Sequence, residues 1–235
     1  MDPWSLLSEA SLMRRTYQID NVLWSMRWEI IFSLLAPIFV WVAIRASKSA
    51  FLGVTLCLIA SELGRVFDIK ALVYLPVFLA GALIATRLAD LQQRANSDRW
   101  RMPLLGLAAA VLLIASWLSR PLHLPALPQN VLWGLAAAGA VLTVVLAVRW
   151  QLMRQLLETR PAQWLGKISF SLFLIHVPII ATATYFFGSS RWWLAGIVAM
   201  PASVGAALLF QRWIETPTHK LARALGARIP VATKS

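Results

Sequence analysis

The chain has 235 residues, of which 59% are hydrophobic and only 14% charged. A water-soluble domain carries roughly 25% charged and about 45–50% apolar residues, so this composition excludes a soluble fold and points to a polytopic membrane protein. The net charge of +12 does not indicate a nucleic-acid partner, because the basic residues sit between apolar runs rather than on one face.

Residues 1–27 contain Asp2, Glu9, Arg14, Arg15 and Asp20 and no apolar core ahead of a small-residue cleavage site, so a secretory signal is not expected. Seven apolar stretches follow, at roughly 30–45, 50–62, 70–86, 103–119, 130–148, 165–186 and 192–211. Each is long enough for a buried helix, and a crossing takes about 20 residues. The second is short for a full crossing, and Glu62, Arg65 and Asp68 after it read as an exposed outer loop. Pro103 opens the fourth stretch, and Pro121, Pro125 and Pro128 fill the loop before the fifth. Twelve Trp against three Tyr suit indole anchoring at the headgroup level.

If every stretch crosses, the segments 46–49, 87–102, 149–164 and the tail after 211 share one side. With their flanks they hold fifteen of the basic residues, against seven on the other side. The positive-inside rule then places the N-terminus outside and the C-terminus in the cytoplasm. The expected fold is all-α: a transmembrane helix bundle of about seven spans over residues 1–211, with a basic amphipathic cytoplasmic tail over 212–235. Leu221 and Leu225 lie on one face of that tail, with Lys220, Arg223 and Arg228 elsewhere, as in an interfacial helix on anionic lipid.

Ionisable groups inside spans are costly and therefore candidates for function. His176 lies near the middle of the sixth stretch. Two roles fit it: a general base or hydroxyl-holding group, or a histidine bonded to a neighbouring helix and kinked locally by Pro178. Glu29, at the outer mouth of the first stretch, fits either an orienting carboxylate or an interfacial one near Arg27. Trp24 and Trp28 suit interface anchors, while Ser25, Ser169 and Ser171 suit helix packing. His123 and His219 read as surface residues. The single Cys57 excludes an internal disulfide and reads as a small buried hydrophobe. No zinc spacing, Gly-rich phosphate loop or nucleophile elbow occurs, so no metal is expected.

Four blocks carry a family resemblance. "NVLWSMRWEIIFSLLAPI" (21–38) resembles the N-x-LWSL-x-x-E-x-x-FY-x-L-x-P signature of the acyltransferase 3 family of bacterial membrane O-acyltransferases. "YLPVFLAGALIA" (74–85) is similar to its aromatic–Phe–x-x-Gly helix, and "WLGKISFSLFLIHVP" (164–178) to its LG-x-ISYSLYL-x-H-x-P helix. "IETPTHKLAR" (214–223) resembles its closing ErP segment. The blocks occur in the family's order.

The resemblance implies transfer of an acyl group, commonly acetyl, from cytoplasmic acyl-CoA to a hydroxyl of an extracytoplasmic sugar or lipid. It also implies the bacterial cytoplasmic membrane as location, no bound cofactor, and the bilayer, acyl-CoA and the acceptor as partners. The site residues it suggests are Glu29 as orienter and His176 as a site-lining polar group. Asn21, Trp24, Ser25, Ser169 and Glu215 would contact substrate.

Departures accompany the likeness. The family's first helix carries a basic residue and, eleven positions on and so about three turns away, a His. Here Leu112, Leu165 and Leu208 precede His123, His176 and His219 at that spacing. Ser33, Phe170 and Thr216 also replace family Tyr, Tyr and Arg. Members have about ten helices, each of the usual span, so seven spans starting outside match the family's later portion. Two alternatives from other classes are a non-catalytic truncated remnant and a transporter or flippase-like subunit, although no internal repeat supports the latter.

Overall fold

Each of the seven apolar stretches folds as a helix. The computed structural model describes residues 22–93, 100–118 and 126–227, and every regular element among them is helical. The helices are α1 (Leu23–Arg45), α2 (Ala50–Val66), α3 (Lys70–Ala85), a short α4 (Leu88–Gln93), α5 (Met102–Leu118) and α6 (Ala126–Arg149). A short α7 (Gln151–Leu157), α8 (Arg160–Phe187), α9 (Trp192–Phe210) and α10 (Thr216–Gly226) complete the order. Five segments are long and apolar enough to cross a bilayer: Leu23–Arg45, Ser47–Val66, Val131–Arg149, Arg160–Phe187 and Trp192–Gly226. Lys70–Ala85 and Met102–Ala115 are apolar but shorter.

The second stretch is longer than its apolar run. A 3-10 turn at Ser47–Ser49 leads into α2, which continues to Val66. Glu62 and Arg65 therefore lie within the helix, which corrects the expectation of an exposed loop at these two positions. Only Asp68 is in the turn, with φ of 54°, a left-handed conformation that Asp tolerates better than most residues. Lys70 Nζ donates to Asp68 Oδ1 at 2.6 Å, and this bond and charge hold the Asp68 carboxyl below its ordinary range. The pair's contribution is present above the usual aspartate range and is lost as pH falls through the lowered value.

The exteriors are apolar. Phe51, Leu34, Tyr185, Phe186 and Met200 are each at least 75% exposed. Such a surface is stable against lipid tails, and in water it would drive association. Pro37, Pro76, Pro178 and Pro201 sit inside helices, as membrane helices allow.

The chain divides into two compact units. In the unit Trp28–Thr159, α2 lies antiparallel to α3 along a seam of small residues: Ala50, Cys57 and Ala80 are buried with Leu83, and Ala43 of α1 joins the same cluster. Ser61 Oγ donates to Val73 O at 2.7 Å across that seam. A Cβ at Gly64 would stand 2.6 Å from the backbone of Leu72 and Val73, so only glycine permits this approach. Gly64→Ala is expected to cost about 1–3 kcal/mol, read as a lower thermal midpoint in detergent. Gly81→Ala, with nothing within 4 Å, should not lower it.

Rings of α1 meet rings of α3, Trp28 tilted against Tyr74 at 5.1 Å and Phe32 stacked on Phe78 at 4.3 Å, so these two helices run parallel. Met102, Ala109 and Leu146 join α5 antiparallel to α6, with Trp150 and Met153 packed alongside. One set of helix ends in this unit thus carries Arg45, Lys48, Arg87, Arg101, Arg149 and Arg154, and the other carries Arg65 and Lys70.

The second unit comprises Arg160–Ser235 with Met1–Arg27. There α8 and α9 pack antiparallel through Ala183, Ala195 and Ala199, with Ile179 and Phe187 alongside. Gly188 (φ 72°) makes the turn between them, using a conformation that costs glycine little. A π-helical segment, Gln211–Glu215, joins α9 to α10 without a break.

Candidate active site

In the second unit, α8 presents two polar side chains on different sides. Ser171 is fully buried, and its Oγ donates to Glu215 Oε2 at 2.5 Å. Glu215 ends the π segment, a distortion that recurs at functional sites because it re-aims a side chain within a helix. Its other oxygen, Oε1, is 3.7 Å from His219 Nε2 on α10, an ion pair when that imidazole is protonated. A nucleophilic serine needs its base adjacent to the hydroxyl, whereas here the hydroxyl is given directly to a carboxylate. The arrangement is a lock that ties α8 to the segment leading into α10.

His176 is half-buried, sixteen residues into the 28-residue α8. Its Nδ1 lies 3.1 Å from Leu172 O and 2.8 Å from Phe173 O. Carbonyl oxygens only accept, so a neutral ring making these contacts carries its proton on Nδ1. Nε2 then keeps its lone pair and can take a proton from a hydroxyl. The contacts stay within α8, although Pro178 in the next turn leaves the helix continuous. An apolar groove of about 650 Å³ lies beyond, lined by Pro178, Ile179, Ala183 and Phe186 of α8 and by Val198 and Ala199 of α9. Its one hydroxyl, on Thr182, is donated to Pro178 O at 2.7 Å. The groove offers methyl and methylene contacts and no reactive group.

The other expected site residues fall as follows. Ser169 is exposed and donates to Gly166 O at 2.9 Å. Trp24 is exposed at the start of α1, where Ser25 Oγ donates to Val22 O at 3.0 Å. The Glu29 side chain is exposed on the next turn, and its carboxylate makes no hydrogen bond or ion pair among the described residues. Ser33, at the family's Tyr position, donates to Glu29 O at 2.7 Å. Asn21 and His123 lie outside the described residues. Glu29 belongs to the first unit and His176 to the second.

The first unit holds a polar cluster at positions expected in an exposed loop. Both carboxylate oxygens of Glu62 are buried against Gly134 of α6, where a Cβ would stand 2.5 Å from Oε2. One turn on, the Arg65 guanidinium lies 4.6 Å over the Trp133 ring, a cation–π contact that favours a desolvated cation. Among the described residues no three His, Cys, Asp or Glu side chains gather as a metal site.

The acyltransferase 3 family model, described as an acyltransferase domain, matches residues 3–212. No curated protein and no solved structure matches the chain. The protein belongs to the acyltransferase 3 family, and with its long apolar helices it is a membrane protein of the acyltransferase type.

Proposed function

We propose that the protein transfers an acyl group, commonly acetyl, from acyl-CoA to a hydroxyl of an extracytoplasmic carbohydrate or lipid, in the bacterial cytoplasmic membrane. The observation that supports this reading most is His176: in a chain of acyltransferase membership, its imidazole is set mid-helix with Nδ1 held by two carbonyls. Nε2 takes the proton of the acceptor hydroxyl as that oxygen attacks the thioester carbonyl. The C–S bond then breaks, and the thiolate leaves with the proton that His176 returns. Glu29 acts as orienter or charge partner, and Asn21, Trp24, Ser25, Ser169 and Glu215 complete the proposed substrate contacts. In this reading the apolar helices make seven spans, and the arginine-rich helix ends of the first unit face the cytoplasm, where the donor is.

The test is acyl transfer by the purified full chain in proteoliposomes, with acetyl-CoA labelled in its acetyl group and a sugar acceptor. Appearance of label in an alkali-labile ester supports the proposal. A folded protein that forms no ester with any acyl-CoA overturns it. Glu29→Gln keeps size and removes charge, and a decrease in rate of about tenfold or more is expected if this carboxylate orients a reacting group. An unchanged rate removes Glu29 from the site.

A further inference from the structure

A second polar site lies in the first unit, at the arginine-bearing helix ends. A cavity of about 390 Å³ is lined by Gln92 and Gln93 of α4, Arg149 at the end of α6, and Gln151, Arg154 and Gln155 of α7, with Glu158 beside them. Every lining residue is polar, which is unusual for a chain that is 59% hydrophobic. Glu158 is the one carboxylate, and it faces Arg154 Nη2 at 3.8 Å, so the lining keeps a net positive charge. Lys48 adds positive potential at the same end of the unit, where Arg87 is already paired with Asp90, its Nη1 donating to Oδ2 at 2.8 Å.

We infer that this cavity binds a phosphate group. Two guanidinium groups supply planar donor forks that match phosphate oxygens, and four glutamine amides add donors at the rim. A phosphate presents three strong acceptor oxygens, more than a carboxylate, and so suits a lining with this many donors. The surroundings put the cavity at headgroup depth: α7 exposes Leu152, Leu156 and Leu157 while its polar face lines the cavity, as an interfacial helix does. The phosphate has two possible carriers, the nucleotide portion of coenzyme A or the headgroup of an anionic phospholipid. The coenzyme A arm rests on the function proposed above. Binding is read without turnover, so the cavity can be tested even in a chain that transfers nothing.

The experiment uses the full chain in nanodiscs. Coenzyme A affinity is measured by titration in phosphatidylcholine discs, and retention of phosphatidylglycerol is measured by native mass spectrometry. Wild type is compared with Arg154→Gln, Arg149→Gln/Arg154→Gln and Lys48→Gln, the last removing one charge from the same end outside the cavity. The double variant should weaken one of the two ligands at least tenfold, while Lys48→Gln changes neither by more than twofold. Loss confined to coenzyme A assigns the nucleotide, and loss confined to phosphatidylglycerol assigns the headgroup. The Arg154 side chain is about half exposed, so the single variant retains the fold and should show a weaker version of the same loss. No binding of either ligand by wild type, equal binding by all variants, or an equal loss in Lys48→Gln overturns the inference.

Discussion

His176→Gln is expected to lower acyl transfer about 10²–10⁴-fold, the range for loss of a positioned general base. The substitution suits the geometry. A glutamine amide can still donate to Leu172 O or Phe173 O, the acceptors that hold Nδ1 at 3.1 and 2.8 Å. It has no lone pair able to take a proton at neutral pH. The variant should therefore fold with an unchanged thermal midpoint and bind acyl-CoA as wild type does, with the deficit in kcat. His176→Ala should lose a similar factor. A rate within twofold of wild type in both would leave His176 as a self-bonded helix residue and move the search for the base elsewhere in the chain.

Glu215→Ala should destabilise the second unit by about 1.5–3 kcal/mol, the usual worth of a hydrogen bond to a charged group. The Ser171 hydroxyl is wholly enclosed and would lose its acceptor, which an apolar membrane interior cannot replace. Ser171→Ala should cost less, since the Glu215 side chain is 17% exposed and can recover some solvation. The double variant should be less damaged than the sum of the singles, because once either partner is gone the second change removes little more. Unfolding in a detergent mixture, followed by tryptophan fluorescence, measures all three. Additive losses would mean that the 2.5 Å contact carries no coupling.

The helices were legible because each is a continuous apolar run, a signal that needs no knowledge of neighbours. The family blocks were legible for the same local reason. What escaped was whatever depends on a distant partner. Glu62 and Arg65 read as loop residues because a carboxylate and a guanidinium inside a span look prohibitive alone, yet Gly134 and Trp133, some seventy positions on, take them in. Ser171 read as packing, since the carboxylate that receives its hydroxyl is 44 residues away. The short helices α4 and α7 lie in polar loops where composition carries no period. His219 was expected at the surface and is there, about two-thirds exposed, but on a helix and within reach of Glu215.

The π segment between α9 and α10 gives this stretch one residue of slack. A π turn holds one residue more than an α turn, so removing Gln211 from Gln211–Glu215 and letting the segment tighten would leave the rods before and after it nearly in phase. A residue removed from the ordinary helix in the middle of α9 has no wide turn to absorb it, and there each residue counts about 100°. Glu215 would then turn away from Ser171, and Leu221 and Leu225 would rotate with it to a new quarter of the lipid surface. The π turn is thus a slack link that forgives the loss of one residue where the helix before it does not.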